Sequence, residues 1–151
     1  MITPPDIVPA GIEHLDALAP LLDGYRVFYG QPSAPEACRE FLDDRLRRKD
    51  STILLARRAQ QALGFAQLYP LFSTVQLGPA WLLNDLYVAP DDRRSGVGSA
   101  LLEAVREFGV AQGAVRMTLA TSVDNHPAKK LYERHGWRLN STFDHYRLDF
   151  V

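Results

Sequence analysis

Ahead of an apolar helical pattern that begins at Val97, the chain reads APDDRRSGVGSALL, with two arginines, a serine and two glycines in six positions. Those residue types at that spacing suit an anion. The first four N–H groups of a helix have no intrahelical partner, and the helix dipole favours negative charge at that end. Gly96 and Gly98 let the backbone approach a ligand closely, and Arg93 and Arg94 can add charge-assisted hydrogen bonds. The expected ligand is a phosphate or pyrophosphate. An ordinary glycine-softened helix start would use the same residues, so the motif needs support from the rest of the chain.

Spacing separates three kinds of cradle. A P-loop requires G-x-x-x-x-G-K-[ST], and no lysine follows here. A dinucleotide fingerprint requires a third small residue, where Leu101 stands. What remains is Arg93-x-x-Gly96-x-Gly98. Just upstream lies Asn84-Asp85, of which only Asp85 can accept a proton; strand alternation equally allows it to face a structural partner. His126, His135 and His145 show no metal-ligand spacing, and no metal is expected. Cys38, the single cysteine, excludes an internal disulfide and sits in a helical pattern beside Ala37 and Phe41, where it reads as a packing residue.

The elements that must position these groups follow from periodicity. A short strand at 6–10 precedes a leucine pattern over 12–29, where Pro20 predicts a kink or a pair of helices. A second helix opens at Ser33 or Ala34 and carries Phe41, Leu42, Arg45 and Leu46. The runs 51–58, 62–72 and 79–88 read as strands, dense in branched and aromatic residues. A helix follows from Val97 to near Gly113, with Val97, Leu101, Ala104, Val105 and Phe108 on its buried face. Then come an alternating strand at 115–121, a short helix over 126–136 capped by Asn125 or Asp124 and stopped by Gly136, and last strands in WRL and TFDHYRLDF. The fold class is α/β (α+β), a mixed sheet with helices on its faces in one domain spanning 1–151.

Composition bounds the partners. With 151 residues, 46% hydrophobic and 23% charged, the chain has the size and balance of one globular domain. A net charge of -1 argues against nucleic acid or an anionic membrane as partner. The run Arg45, Arg47, Arg48, Lys49 is a solvated helix face. No apolar run reaches the roughly 20 residues that a membrane span needs, and no signal-peptide pattern opens the chain. A cytoplasmic location is expected.

The stretches NDLYVAPDDRRSGVGSALL and VDNHPAKKLYERHGW together resemble the GNAT superfamily of acetyl-CoA-dependent N-acetyltransferases. The upstream stretch is similar to its strand, R-x-x-G-x-G/A loop and helix. The downstream stretch is similar to its N-x-x-A-x-x-L-Y-x-x-x-G-[WF] segment, with Asn125, Ala128, Leu131, Tyr132, Gly136 and Trp137 filling every position. The N-terminal half, in YRVFYGQPS, FLDDRL and GFAQLYPLFS, more loosely resembles the histone and polyamine (diamine) acetyltransferase-like branch.

The resemblance implies a mostly antiparallel mixed sheet with a central pair of splayed parallel strands, at 80–88 and 115–121, that admits acetyl-CoA. By it, the backbone N–H of Leu86 would stabilise the oxyanion on the thioester, and Val88 would pair with the pantetheine arm. The backbone amides of Arg94, Ser95, Gly96, Val97, Gly98 and Ser99 would bind the pyrophosphate, with Arg93 at the head of the motif. Asn125 would hydrogen-bond pantetheine, or simply cap its helix. Tyr132 would protonate the departing thiolate: a phenol of pKa about 10 can donate to a thiolate whose conjugate acid lies near 8.5. An amine of pKa about 10.4 is neutral in only roughly one molecule in two thousand at pH 7, so some group or water chain must take its proton. Diamine acetyltransferases carry Glu-Asp where this chain has Asn84-Asp85, which leaves Asp85 as the candidate and weakens the case for a polyamine. Tyr29 and Tyr69 are the candidate acceptor-contacting residues, with Asn84, from an aromatic set that includes Tyr25, Phe28, Phe72 and Trp81. The implied reaction is direct acetyl transfer to a small primary amine or amino-acid-like molecule, in a homodimer. A protein lysine or N-terminal acetyltransferase, a non-catalytic acyl-CoA-binding module and an unrelated phosphate-binding domain are the alternatives.

Overall fold

The computed structural model describes residues 3–151. The elements run β1 (Asp6–Pro9), a 3-10 turn (Ile12–His14), α1 (Leu15–Phe28), α2 (Pro35–Arg48), β2 (Thr52–Arg58), β3 (Gln61–Ser73), β4 (Gly78–Val88), a 3-10 turn (Pro90–Asp92), α3 (Val97–Ala111), β5 (Arg116–Leu119) and α4 (His126–Arg134). Two compact units result, one running to Ala120 and the other comprising Thr121–Val151.

The first unit holds a five-stranded sheet in the order β1-β2-β3-β4-β5. The first four strands are antiparallel neighbours, which short connections permit, whereas β4 and β5 are parallel and need α3 as their crossover. Alternation along the strands sorts the core into two layers. Ile53, Leu55, Phe65 and Tyr87 pack with Leu15, Leu18, Leu21 and Leu22 of α1 and with Cys38 and Leu42 of α2. Leu54, Ala66, Leu68 and Leu83, also buried, turn to the other face, and α3 packs on β2, β3 and β4 with Val97, Leu101, Leu102 and Val105. Each fully buried leucine or phenylalanine contributes about 1.5–3 kcal/mol, so these two layers dominate the stability of the unit.

Pro20 does not divide the first helix. The chain changes from 3-10 to α at Leu15, and α1 continues through Pro20 to Phe28. Leu18 and Ala19 before the proline, and Leu21 and Leu22 after it, are all buried, so packing on both sides holds the helix. Pro20 itself is exposed, as is Asp16, so the carbonyl that loses its i−4 donor lies on the solvent side. α2 has no cap from its own N-cap residue, Ala34. Asp23 of α1 supplies one, accepting from the Ala34 amide at 2.7 Å and from the Ser33 hydroxyl at 2.7 Å. That carboxylate fixes the start of α2 against α1.

Register departs from simple alternation at one place that matters for the site. Gln67 pairs with Asp85 and Leu68 pairs with Leu83, so Asn84 is an extra residue in β4, a β-bulge. The bulge changes the phase of the strand. Leu83 shares the face of Leu68, under α3, while Asp85 shares the face of Gln67, under α1 and α2.

In the second unit α4 spans His126–Arg134, and Gly136, at φ 89°, follows its C-terminus. Neither WRL nor TFDHYRLDF forms a strand, contrary to their alternation. Leu139, Phe143, Tyr146, Leu148 and Phe150 are exposed, and none of these residues enters a ladder. Period-two patterning supplies a propensity, but a strand without a paired neighbour is not stable in water.

Candidate active site

The bulge at Asn84 builds the polar end of a pocket. Asp85 is 9% exposed, and its Oδ2 accepts from Gln67 Nε2 and from Asn84 Nδ2, each at 3.0 Å. Gln67, 1% exposed, in turn accepts from the Ser51 hydroxyl at 3.0 Å through its Oε1. A buried carboxylate is tolerated only when hydrogen-bonded, and here both amide donors fall on one oxygen. The carboxylate is thereby oriented, and Asn84 acts as its neighbour and support.

Around this end, Leu22, Tyr25 and Arg26 of α1, Ala37, Cys38 and Phe41 of α2, Gln67 and Tyr69 of β3, and Asn84 and Asp85 of β4 line a pocket of about 390 Å³. Tyr69 stands beside the carboxylate; burial and then the Asp85 charge push its phenol above the usual tyrosine range, so it is a neutral donor at physiological pH. Burial likewise pushes the Cys38 thiol up, which keeps it protonated and a poor nucleophile, in keeping with a packing role. Gln67, Arg26 and the α2 residues were not anticipated as pocket residues. Gln67 carried a signal, as a glutamine between Phe65 and Tyr69 in an apolar strand needs a buried partner; Arg26 carried none.

Four anticipated aromatic residues lie elsewhere, Phe28 and Phe72 being 57% and 81% exposed. Trp81 packs edge-on against Phe108 of α3, with ring centroids 4.7 Å apart, on the opposite face of the sheet. Tyr29 is 49% exposed at the end of α1 and contacts Tyr25 and Phe28 rather than the pocket.

Beyond the bulge the backbone of β4 opens an edge. The last rung between the parallel strands joins Leu83 to Leu119, and β4 continues to Val88 with no further rung to β5. The Ala89 amide donates to the Leu63 carbonyl of β3 at 2.8 Å. Because backbone groups alternate sides along a strand, Leu86 and Val88 turn theirs away from β3, toward this unpaired edge. Val88 confirms the direction: its carbonyl accepts from Arg93 Nε at 3.0 Å instead of from β3.

The loop that follows ends in an open helix terminus. Arg94 (φ 63°) and Gly96 (φ 85°) adopt left-handed backbone, and only at Gly96 is this free of a Cβ penalty. Gly96 is the N-cap of α3, with no side-chain cap, and the first helical bond runs from the Ala100 amide to the Gly96 carbonyl at 3.0 Å. The amides of Val97, Gly98 and Ser99 thus have no helical acceptor, an arrangement that suits an anion. Ser95 turns its hydroxyl back onto the Asp92 carbonyl, closing the loop. Arg93 leans away from this terminus, its guanidinium 5.5 Å from the centre of the Phe28 ring and 5.7 Å from that of Tyr87. The uncapped amides and the unpaired edge of β4 fit the pyrophosphate and pantetheine of acetyl-CoA respectively.

Asn125 and Tyr132 belong to the second unit. Asn125 caps α4, its Oδ1 accepting from the Ala128 amide at 3.3 Å. Tyr132 is half-buried on α4, with its ring 6.4 Å from that of Trp137. Among the described residues, no cluster of three or more His, Cys, Asp or Glu side chains could hold a metal ion, and no helix is long and apolar enough to cross a membrane.

Comparison with known proteins agrees with this geometry. A sequence profile of the Acetyltransferase (GNAT) family matches residues 17–137. The uncharacterized N-acetyltransferase YhfO of Bacillus subtilis is 41% identical over 133 residues, covering 88% of this chain and 89% of that protein. The crystal structure of a probable acetyltransferase is 48% identical, covers 97% of this chain and 98% of its own, and superposes with a TM-score of 0.92. The aminoglycoside acetyltransferase AAC(6')-Iy, solved in complex with a CoA-linked bisubstrate analog, shares the fold at a TM-score of 0.80 and 23% identity, over 97% of this chain and 99% of its own. A sheet that parts beside an uncapped helix, and a family match over most of the sequence, lead to the same conclusion: this chain is an acetyltransferase of the GNAT family.

Proposed function

We propose that the protein transfers the acetyl group of acetyl-CoA to a small primary amine or amino-acid-like molecule, by direct attack in a ternary complex. The observation that carries this reading is the division of labour within β4. Its residue Asp85 faces a pocket of small-molecule size, and the next residues, Leu86 and Val88, present their backbone to an unpaired edge. One strand therefore lies between an acceptor site and a site for an extended acyl carrier.

In the reaction, the amine nitrogen attacks the thioester carbonyl carbon, and the oxyanion that forms accepts from the Leu86 amide. Val88 would offer its backbone to the pantetheine arm once Arg93 releases its carbonyl. The amides of Arg94 through Ser99 would hold the pyrophosphate, with those of Val97, Gly98 and Ser99 at the helix terminus. The ammonium proton passes to Asp85, directly or through water, and Asn84 and Gln67 keep that carboxylate aimed. Collapse breaks the C–S bond, Tyr132 protonates the thiolate, and the second proton that the nitrogen sheds on becoming an amide restores the Tyr132 hydroxyl through water. Asn125 keeps its capping role and is available to pantetheine through its side-chain amide N–H. Tyr69, neutral and beside Asp85, contacts the acceptor, whereas Tyr29 would meet it only at the pocket mouth. The finer kinship with the histone and polyamine acetyltransferase-like branch is supported by the N-terminal stretches alone.

The test is release of CoA thiol across a panel of amines and basic peptides. Turnover of small amines, reduced roughly 100-fold or more by Tyr132→Phe with acetyl-CoA affinity retained, is the expected result. Unchanged turnover in Tyr132→Phe would remove the acid assignment. Turnover confined to peptides would favour a protein acceptor, and acetyl-CoA binding without release on any amine would favour a non-catalytic acyl-CoA-binding module.

A further inference from the structure

The pocket contains charges of both signs on opposite walls. Asp85 lies on the sheet side, Arg26 on the helix side, and Leu22, Tyr25 and Phe41 supply apolar lining. Arg26 is half-buried, and one of its N–H groups donates to the Pro32 carbonyl at 3.2 Å. A guanidinium has five N–H donors, so this bond anchors the side chain and leaves others for a ligand. Asp23 lies close enough to feel the Arg26 charge, but its two oxygens are taken by the Ser33 hydroxyl and the Ala34 amide. Beside Tyr69, Arg45 and Asp50 pair with each other at 2.9 Å.

We infer that the acceptor is a zwitterion whose primary amine lies at Asp85 and whose carboxylate is bound by Arg26, with an apolar body between them. The inference rests on the acetyl-transfer reading for the identity of the reacting end, and it adds the class of molecule. A diamine or polyamine would bring a second ammonium against Arg26. A simple alkylamine would leave a half-buried guanidinium without the partner its fork suits. A volume of about 390 Å³ lies near the low end of small-molecule sites, which matches a molecule of amino-acid to dipeptide size.

The experiment compares three matched series: glycine, leucine, phenylalanine and linear ω-amino acids up to aminohexanoate; the methylamides of the same acids; and α,ω-diamines of the same lengths. Thiol release from acetyl-CoA and the shift in melting temperature are read for the wild type, Arg26→Gln and Arg26→Lys. At least one acid should exceed its methylamide and the matching diamine about tenfold or more in kcat/KM. Arg26→Gln should raise its KM about 10- to 100-fold, with Arg26→Lys recovering part of the loss, while the KM for the methylamide and the affinity for acetyl-CoA stay unchanged. Equal use of acids and methylamides, preference for diamines, or an Arg26→Gln effect of the same size on the methylamide would overturn the inference. If no amine releases thiol, the transfer reading fails, and the melting shift decides the ligand class alone. An acid that stabilises the wild type but not Arg26→Gln supports the zwitterion, and no difference refutes it.

Discussion

Asp85 and the groups that hold it set the behaviour of single residues. Gln67 donates to the carboxylate and accepts from Ser51, so Gln67→Leu removes one donor to Asp85 and leaves the Ser51 hydroxyl without its acceptor. The expected loss is about 1–3 kcal/mol of stability, measured by urea denaturation, with a larger fall in turnover than Ser51→Ala produces. Tyr69 adds a pH dependence. Burial and the Asp85 charge raise its folded pKa above the unfolded value near 10. The folded state therefore holds the proton more tightly, and its stabilising contribution is complete below about pH 10 and lost as the pH rises through the folded value. Denaturation followed from pH 8 to 11 should show a decline that is shallower in Tyr69→Phe. Cys38 was legible as a packing residue, but Arg26 was not legible as part of a site, because a single arginine on an amphipathic helix has no sequence feature that distinguishes it from a solvated one.

The elements were legible wherever one face is buried and the pattern is long. α3 and strands β2 to β4 begin and end, and α2 begins, within two residues of where periodicity puts them, because apolar spacing there is enforced by the two core layers. The last strands were not legible, since alternation in TFDHYRLDF says nothing about whether a partner is present. Close approach between elements yields a sharper test. A Cβ on Gly64 would lie 2.5 Å from the Tyr87 carbonyl oxygen, which is backbone and cannot swing aside. Gly64→Ala should cost about 1–3 kcal/mol by forcing β3 and β4 apart, with a lowered melting temperature as the readout. The tie between α1 and α2 is electrostatic. The Ser33 hydroxyl and then the Ala34 amide hold the Asp23 carboxyl below the usual aspartate range, so the stabilisation is present above about pH 4 and lost as the pH falls through the folded value. Acid unfolding of Asp23→Asn should be less steep than that of the wild type.

At the scale of the molecule, we propose that the whole of 1–151 acts as one domain. Thr121–Val151 is shorter than the roughly 40 residues below which a chain rarely folds alone, and α4 has no fully buried residue. A synthetic peptide of this segment should show no cooperative transition by circular dichroism, while the intact chain unfolds in a single step. A sharp isolated transition in the peptide would overturn that expectation. The open terminus of α3 was readable from Arg93-x-x-Gly96-x-Gly98 because it depends on local sequence; the pocket was less so, since its walls come from four separate elements. Asn84 shows why. Pairing skips it: every residue after it faces the layer of helices opposite to the one that counting through it would give. Were Asn84 paired as an ordinary strand residue, its own side chain would enter the pocket, Asp85 would be buried under α3, and Leu86 would turn to the layer of α1 and α2. The chemistry of this face thus depends on which residue the pairing leaves out as much as on the identity of the residues.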